Sequence, residues 1–469
     1  MDKREIEPFI TQTFEKDVVP ALMNFIRIPN GSPSYDKDWQ TNGFQEQAAL
    51  YIKEWVESQN LQNTYVHILQ EKNRTPFIYI EIEASKKDDS RSILMYGHFD
   101  KQPPLEGWSE GLSPRSPVIK DKHLYGRGGA DDGYGVFAAV SAVKCAQAHN
   151  WPMPRINIII EGAEESYTQD LEFYVDFLKE EIGNPSLIVC LDSGCEDYKR
   201  LWITSSLRGV ISVDLKVSLL TQGIHSGIGG GLVAESLMVL RNLIDRIEDP
   251  LTAKMLLEDL FVQIPENRRK EIKEVVQIVG KDIISNVPFE AGVKPFSDDI
   301  EELIINNTWK PFLCVTGADG LPEASTAGNV LRPYTQVKLS IRLPPMVDSV
   351  KAGQKVVEVL TKDPIYNAVV EAKVSNTGDG WNLSNFSERL RNITSTASQR
   401  FYAGNEIQFL GEGGSIPFVQ ILNNKFKNSD FLVLGVTGPG SNIHGLDENL
   451  DLDFCRRLIC CLAYILSDY

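Results

Sequence analysis

Apolar residues fall into two kinds of run along this chain. Phe77–Ile82, Ile93–Tyr96, Ile156–Ile160, Leu187–Leu191 and Phe431–Val436 are continuous, largely β-branched and of strand length. Continuous rather than alternating runs predict strands buried on both faces. Helical spacing lies between them, at Tyr134–His149 and Leu171–Glu180, so these segments predict a sheet covered by helices. The middle of the chain follows another order: strand Val210–Val217, helix Leu232–Ile247, a long irregular insert, strands Phe312–Thr316 and Thr335–Arg342, helix Ser349–Leu360 and strand Tyr366–Val374. Without the insert this is β-α-β-β-α-β, the ferredoxin-like order. Helix and strand patterns resume at Phe386–Arg400 and run to a last helix, Asp453–Leu466. The pattern therefore predicts an α/β fold in which a helix-covered mixed-sheet domain, residues 1–206 and 380–469, is interrupted by an inserted α+β ferredoxin-like domain at 207–379.

Composition narrows the function classes. With 469 residues, 42% hydrophobic and 24% charged, the chain can bury a large core and is not a disordered segment. Sixty-four acidic against 47 basic side chains give a formal charge of -17, and no basic stripe interrupts it, which disfavours nucleic acid as a partner. The start, Met1–Glu7, lacks an apolar core followed by a small-residue cleavage site, and the longest apolar run, Leu458–Leu466, is shorter than a spanning helix. No export or membrane segment is expected. The seven cysteines are scattered, without a C-x-x-C pair, which reads as buried reduced thiols and a cytoplasmic location.

Ligand-type side chains follow three of the strand runs: His98 and Asp100 after Ile93–Tyr96, Glu164 and Glu165 after Ile156–Ile160, and Asp192 after Leu187–Leu191. In open α/β sheets that edge is where ligands bind. Asp131-Asp132 closes the loop Gly126–Gly133 just before the helix at Tyr134, and His444 lies in the glycine-rich loop Gly438–Gly445 after Phe431–Val436. Taken singly, each residue has an ordinary structural explanation: a hydrogen-bonded histidine, an N-cap aspartate, a solvated glutamate pair. Their joint placement does not, because several loops bring carboxylates and imidazoles to one crevice with almost no lysine or arginine. Such crowding is costly unless cations fill the gap. A set of carboxylates and two histidines without cysteine suits Zn(II), Mn(II) or Co(II).

The runs Tyr96-Gly97-His98-Phe99-Asp100, Gly126–Gly133, Glu161-Gly162-Ala163-Glu164-Glu165-Ser166, Leu191-Asp192-Ser193-Gly194 and the late His444 resemble, in order and over nearly the whole chain, the co-catalytic metallopeptidase family of aminoacylases, glutamate carboxypeptidases, desuccinylases and cytosolic dipeptidases. Gly223-Ile224-His225-Ser226-Gly227, Ile341-Arg342-Leu343-Pro344-Pro345 and Glu412-Gly413-Gly414-Ser415-Ile416-Pro417 are most similar to its nonspecific dipeptidase, or carnosinase-like, branch. The resemblance implies two divalent metal ions per subunit, with Asp131 bridging them, His98 and Asp192 completing one, and Glu165 and His444 completing the other. It implies Asp100 as the partner of His98, two positions along a strand and so on the same face, and Glu164 as the general base for a metal-bridging hydroxide that cleaves the amide bond of a small peptide. It further implies that the inserted domain is a lid and dimerisation domain. His225 would reach the partner subunit's site to stabilise the oxyanion, and Asn329, Arg342 and Ser415 would hold the substrate's terminal carboxylate or backbone. Gly378-Asp379-Gly380-Trp381 lacks the histidine of animal carnosinases near that point, which speaks against a preference for carnosine. His67, His123 and His149 have no motif around them and read as structural or surface residues.

Other classes fit less well. No Gly-x-Ser-x-Gly elbow occurs, no cysteine has a catalytic context, and Gly227–Gly231 lacks the Lys-Ser/Thr of a phosphate loop. The runner-up enzyme is an N-acyl amino acid deacylase such as a succinyl-diaminopimelate desuccinylase, which shares the metal chemistry and differs in the pocket. A non-catalytic binding protein on the same fold is a third reading, against which stands the presence of all five presumed ligands and Glu164.

Overall fold

A computed structural model describes residues 5–86, 88–285 and 287–469; Met1–Arg4, part of the start read above for a leader, lie outside them. The five continuous apolar runs, joined by the edge strand Thr64–Leu69 that they did not include, form the six-stranded sheet Thr64–Leu69, Phe77–Ile82, Arg155–Glu161, Ser92–His98, Leu187–Cys190, Asp430–Val433, in that spatial order. Thr64–Leu69 and Phe77–Ile82 join antiparallel, and the remaining four strands run parallel. Every residue of Ser92–His98 is buried, as expected for a strand covered on both faces. One cover is the helix Pro417–Lys425, whose Phe418 stacks on Tyr96. Another is the almost wholly buried helix Tyr134–Ala148, which packs against Ser92–His98 and against the terminal helix Leu452–Asp468. The parallel arrangement brings the C-terminal ends of four strands to one edge.

A second sheet has the order Phe312–Asp319, Tyr334–Leu343, Gly209–Ser218, Val369–Gly378, antiparallel throughout. Burial in Gly209–Ser218 alternates strictly, because only one face is covered. The helices Ser236–Ile244 and Ser349–Thr361 cover it, capped by Glu235 and Asp348. Ile211, Val213, Leu215, Leu339 and Ile341 form its separate core. This is the ferredoxin-like arrangement that the pattern predicts.

Three readings need correction. The stretch taken as an irregular insert contains the helices Glu266–Val279 and Ile300–Trp309, and their Ile272, Val275, Val279, Ile304 and Trp309 join the core of the larger sheet rather than that of the smaller one. Arg268 fastens them there, donating to Asn382 Oδ1 at 2.9 Å and to the Leu383 carbonyl. The helix expected from Leu232 starts only at Ser236, where Glu235 accepts the first backbone N–H groups. Not every thiol is buried either: Cys314 is exposed on Phe312–Asp319, while the other six cysteines are buried, and all seven are free. Among the described residues no helix is long and apolar enough to cross a membrane.

Candidate metal centre

His98 is the last residue of its strand, and its environment is set from three sides. Its Nδ1 faces Asp100, 3.2 Å from the carbonyl oxygen and 3.3 Å from Oδ1. Its backbone N–H donates to Asp132 Oδ2 at 3.2 Å, and its Nε2 lies 3.3 Å from Asp131 Oδ1 and 3.8 Å from Asp192 Oδ2. Asp132 fits only because residue 97 is glycine, since a Cβ there would meet Asp132 Oδ2 at 2.6 Å. Asp100 lies beyond the strand end rather than on it, so strand alternation does not align it with His98. The loop does, and for a second reason: Asp100 Oδ1 and Oδ2 accept the backbone N–H groups of Glu164 and Glu165, each at 3.1 Å. One carboxylate thus orients the imidazole and anchors both glutamates.

Asp131 comes from the turn before Tyr134–Ala148. That turn enters through Gly128 at φ +78°, with the Lys101 side chain 2.6 Å from where a Cβ would sit. While Asp131 Oδ1 faces His98, its Oδ2 lies 2.8 Å from His444 Nε2, which is also 3.4 Å from Glu165 Oε1. Gln102 donates to Glu165 Oε2, whereas Glu165 Oε1 is buried without a hydrogen-bond partner.

The electrostatics show why this arrangement needs more than protein atoms. Among the described residues, only the two imidazoles form ion pairs with Asp131, Asp192 and Glu165. Lys101 does not help, because its Nζ is turned to the carbonyls of Phe25 and Ile28, 2.8 Å from each. Burial and then the charge of Asp192 push Glu164 well above the usual carboxylate range. Burial, with Asp131, Glu165 and Glu412 adding to it against His98, carries Asp192 up to about 7. Asp131 goes the other way: burial opposes its charge, but His444 and His98 hold it well below the ordinary value. Burial would lower His444, yet Asp131 and Glu165 raise it to about 10. Ligand atoms of His98, Asp131 and Glu165 lie within 4.8 Å of one another, as do those of His98, Glu164 and Asp192. This donor set fits divalent cations, which would relieve the mutual repulsion and satisfy the orphaned Glu165 oxygen.

The cluster forms the floor of a cleft of about 1080 Å³ between the two sheets. Asp131, Glu164, Glu165, Asp192, Ser415 and His444 line it, and Val210, Lys338 and Asn376 of the smaller sheet form the facing wall. Arg342 Nη1 donates to Ser415 Oγ at 2.8 Å. His225 and Asn329 do not line this cleft. They sit together on the ribbon Ile224–His225/Val330–Leu331, where the Ser226 N–H donates to the Asn329 carbonyl and His225 is exposed. Of the other histidines, His123 faces Asp451, and His67 and His149 stack on Tyr79 and Trp151.

Some contributors escaped the sequence reading. Gln102 supports the cluster through Glu165, and Asp132, named with Asp131 in the sequence but given no role there, accepts the His98 N–H. Arg127 and Glu448 form a buried ion pair that ties three loops together. Arg127 donates to the Gly445 carbonyl at 2.6 Å, beside His444, and to the Pro103 carbonyl at 3.0 Å, while Glu448 accepts the Gly128 N–H at 2.9 Å. Arg127 lies in the loop Gly126–Gly133, but nothing local in the sequence links it to Glu448.

A family model, peptidase family M20/M25/M40, matches residues 94–468. The chain is 24% identical over 370 residues to the cysteinylglycine-S-conjugate dipeptidase of Corynebacterium striatum, covering 77% of this chain and 78% of that protein. It is 26% identical over 393 residues to the Cys-Gly metallodipeptidase dug1 of Schizosaccharomyces pombe, covering 80% of each. The solved structure of the dipeptidase Dug1p from Saccharomyces cerevisiae superposes with a TM-score of 0.81 at 21% identity, covering 99% of this chain and 98% of that one.

Proposed function

The chain belongs to peptidase family M20/M25/M40, and from that premise we propose that it is a dipeptidase that hydrolyses the amide bond of small peptides with two divalent metal ions. The observation that carries the metal reading is Asp131, whose two oxygens face His98 and His444 separately, the arrangement a carboxylate shared by two cations requires. Bound with His98 and Asp192 on one side and Glu165 and His444 on the other, zinc or manganese ions would lend Lewis acidity to a water and to the scissile carbonyl. Glu164 takes the proton of the attacking water on a carboxylate oxygen and returns it to the leaving amine nitrogen. Asp100 keeps the His98 ring and the Glu164-Glu165 backbone in place. Arg342 and Ser415 hold the terminal carboxylate or backbone of the substrate, and Asn329, which stands beside His225 outside its own chain's cleft, joins them only from a partner subunit.

The segment 207–379, apart from the helices Glu266–Val279 and Ile300–Trp309 that join the larger core, acts as lid and dimerisation domain in a cytoplasmic homodimer, in which His225 of the partner subunit steadies the developing oxyanion. The exposure of His225 outside its own chain's cleft supports that arrangement. Relatives named as dipeptidases favour this reading over N-acyl amino acid deacylation. The test is a hydrolysis panel of dipeptides against N-succinyl and N-acetyl amino acids with Mn(II) or Zn(II) added. Cleavage of the dipeptides is expected, and turnover confined to the acylated amino acids would overturn the proposal.

A further inference from the structure

Beside the metal cluster the cleft holds one more carboxylate that the chemistry above does not use. Glu412 ends the strand Gln408–Glu412, whose register against Trp202–Leu207 slips between Leu410 and Gly411. Glu412 lines the cleft next to Asp192 and Ser193. One of its oxygens, Oε1, is fixed by three donors: Thr204 Oγ1 at 2.5 Å, the Gly194 N–H at 3.2 Å and the Ser193 hydroxyl. All three are neutral, so they hold the carboxylate in place without cancelling its charge. The two divalent cations proposed for the floor would be held by Asp131, Asp192 and Glu165 with the two histidines, so Glu412 stands outside their ligand set and keeps only neutral partners. Three residues further along, Ser415 accepts from the Arg342 guanidinium. One loop therefore presents an anion and a guanidinium-backed hydroxyl to the same cleft.

A dipeptide is a zwitterion, with an ammonium at one end and a carboxylate at the other; an N-acyl amino acid carries the carboxylate alone. We infer that Glu412 is a specificity-determining residue that binds the free α-ammonium of the substrate through its Oε2, and so selects dipeptides over N-acylated amino acids. The inference rests on the dipeptidase reading and adds the group that enforces it. A charge-assisted hydrogen bond of this kind is stronger than a neutral one and directional, and the rigid cradle around Oε1 limits the side-chain entropy lost on binding.

The experiment compares Ala-Gly with propionyl-glycine, the same molecule with hydrogen in place of the ammonium. Where propionyl-glycine is not cleaved, its inhibition constant replaces kcat/KM. Wild-type enzyme should prefer Ala-Gly, and Glu412→Gln should lower that preference by roughly ten- to a hundredfold, the scale of a hydrogen bond to a charged group. A preference unchanged in Glu412→Gln, whether both substrates are unaffected or both decline in parallel, overturns the inference. Metal content and thermal unfolding identify a variant that has lost the fold. Glu412→Asp, which keeps the charge but withdraws it by one methylene, then serves as the second variant and is judged by the same ratio. If the wild-type enzyme itself does not prefer Ala-Gly, the dipeptidase reading fails; if it does and the variants keep the preference, only the role of Glu412 fails.

Discussion

The two sheets that face each other across the cleft treat charge in opposite ways. In the four-stranded sheet the covered face is apolar, and charged side chains on its other face have ordinary partners, such as Lys338 with Asp214 at 2.8 Å. Pairs of that kind are worth little, and the sheet is held by its buried aliphatic core. In the six-stranded sheet, the edge carrying His98, Asp100, Asp131 and Asp132 buries these side chains almost completely, with imidazoles as the cationic partners and one oxygen each of Asp132 and Glu165 left without a hydrogen bond. The first region is arranged for stability. The second gives up stability to a cluster that is at ease only with cations present, the departure expected at a site of function.

Removing the cations should expose that difference most. Chelation is expected to abolish hydrolysis and lower the unfolding temperature, and added Zn(II) or Mn(II) should restore both. Full activity in protein shown by elemental analysis to be metal-free would contradict it. Next, Glu164→Gln is expected to reduce kcat by roughly a hundredfold or more while metal content stays near two per chain, whereas Glu165→Gln should weaken one site; equal metal loss in both would show that the two glutamates do not divide the work.

His225→Ala tests whether the smaller sheet's domain contributes chemistry, with an expected barrier increase of about 2–4 kcal/mol and little change in metal content. Mixing it with Glu164→Gln should regenerate intact sites in heterodimers, and activity that stays absent after proven subunit exchange would place His225 outside the partner's site. Arg127→Lys keeps a charge opposite Glu448 but cannot reach both the Gly445 and Pro103 carbonyls. Metal titration should show one site weakened by roughly 10–100-fold, the usual cost of losing an outer support. The mildest change is Ile341→Val in the smaller core, which should cost about 1 kcal/mol in denaturant unfolding and leave metal content untouched. Metal loss there would mean that the two regions are not separable.

Much of this site is legible in the sequence because the relevant signals are local. His98, Glu164, Glu165 and Asp192 stand a fixed few residues after apolar runs, and a parallel sheet brings those ends to one edge whatever the details. Asp100 is legible in the same way, by its place after Ile93–Tyr96, and only the added argument from strand alternation fails, because the strand ends at His98 and the loop makes the contact. The helix Glu266–Val279 was missed despite the helical spacing of Arg268, Ile272, Val275 and Val279 on its buried face, because so many charges surround them. Gln102 offered no signal, since an isolated glutamine after a strand is unremarkable until a carboxylate is seen opposite.

The sequence alone determined the two kinds of sheet, the ferredoxin-like order of the smaller one and the types of side chain at the crevice, because hydrophobic period and strand-end position are read within a few residues. Only the tertiary structure decided which Asp131 oxygen meets which histidine, that the insert helices join the larger core, and that Arg127, Gly128 and Glu448 lock the His444 loop to the Asp131 turn. Gly128 and Glu448 are 320 positions apart. No local pattern encodes a pairing across that distance, which arises only when chain closure brings the buried charge and its partner together in a low-dielectric interior where neither can be left alone.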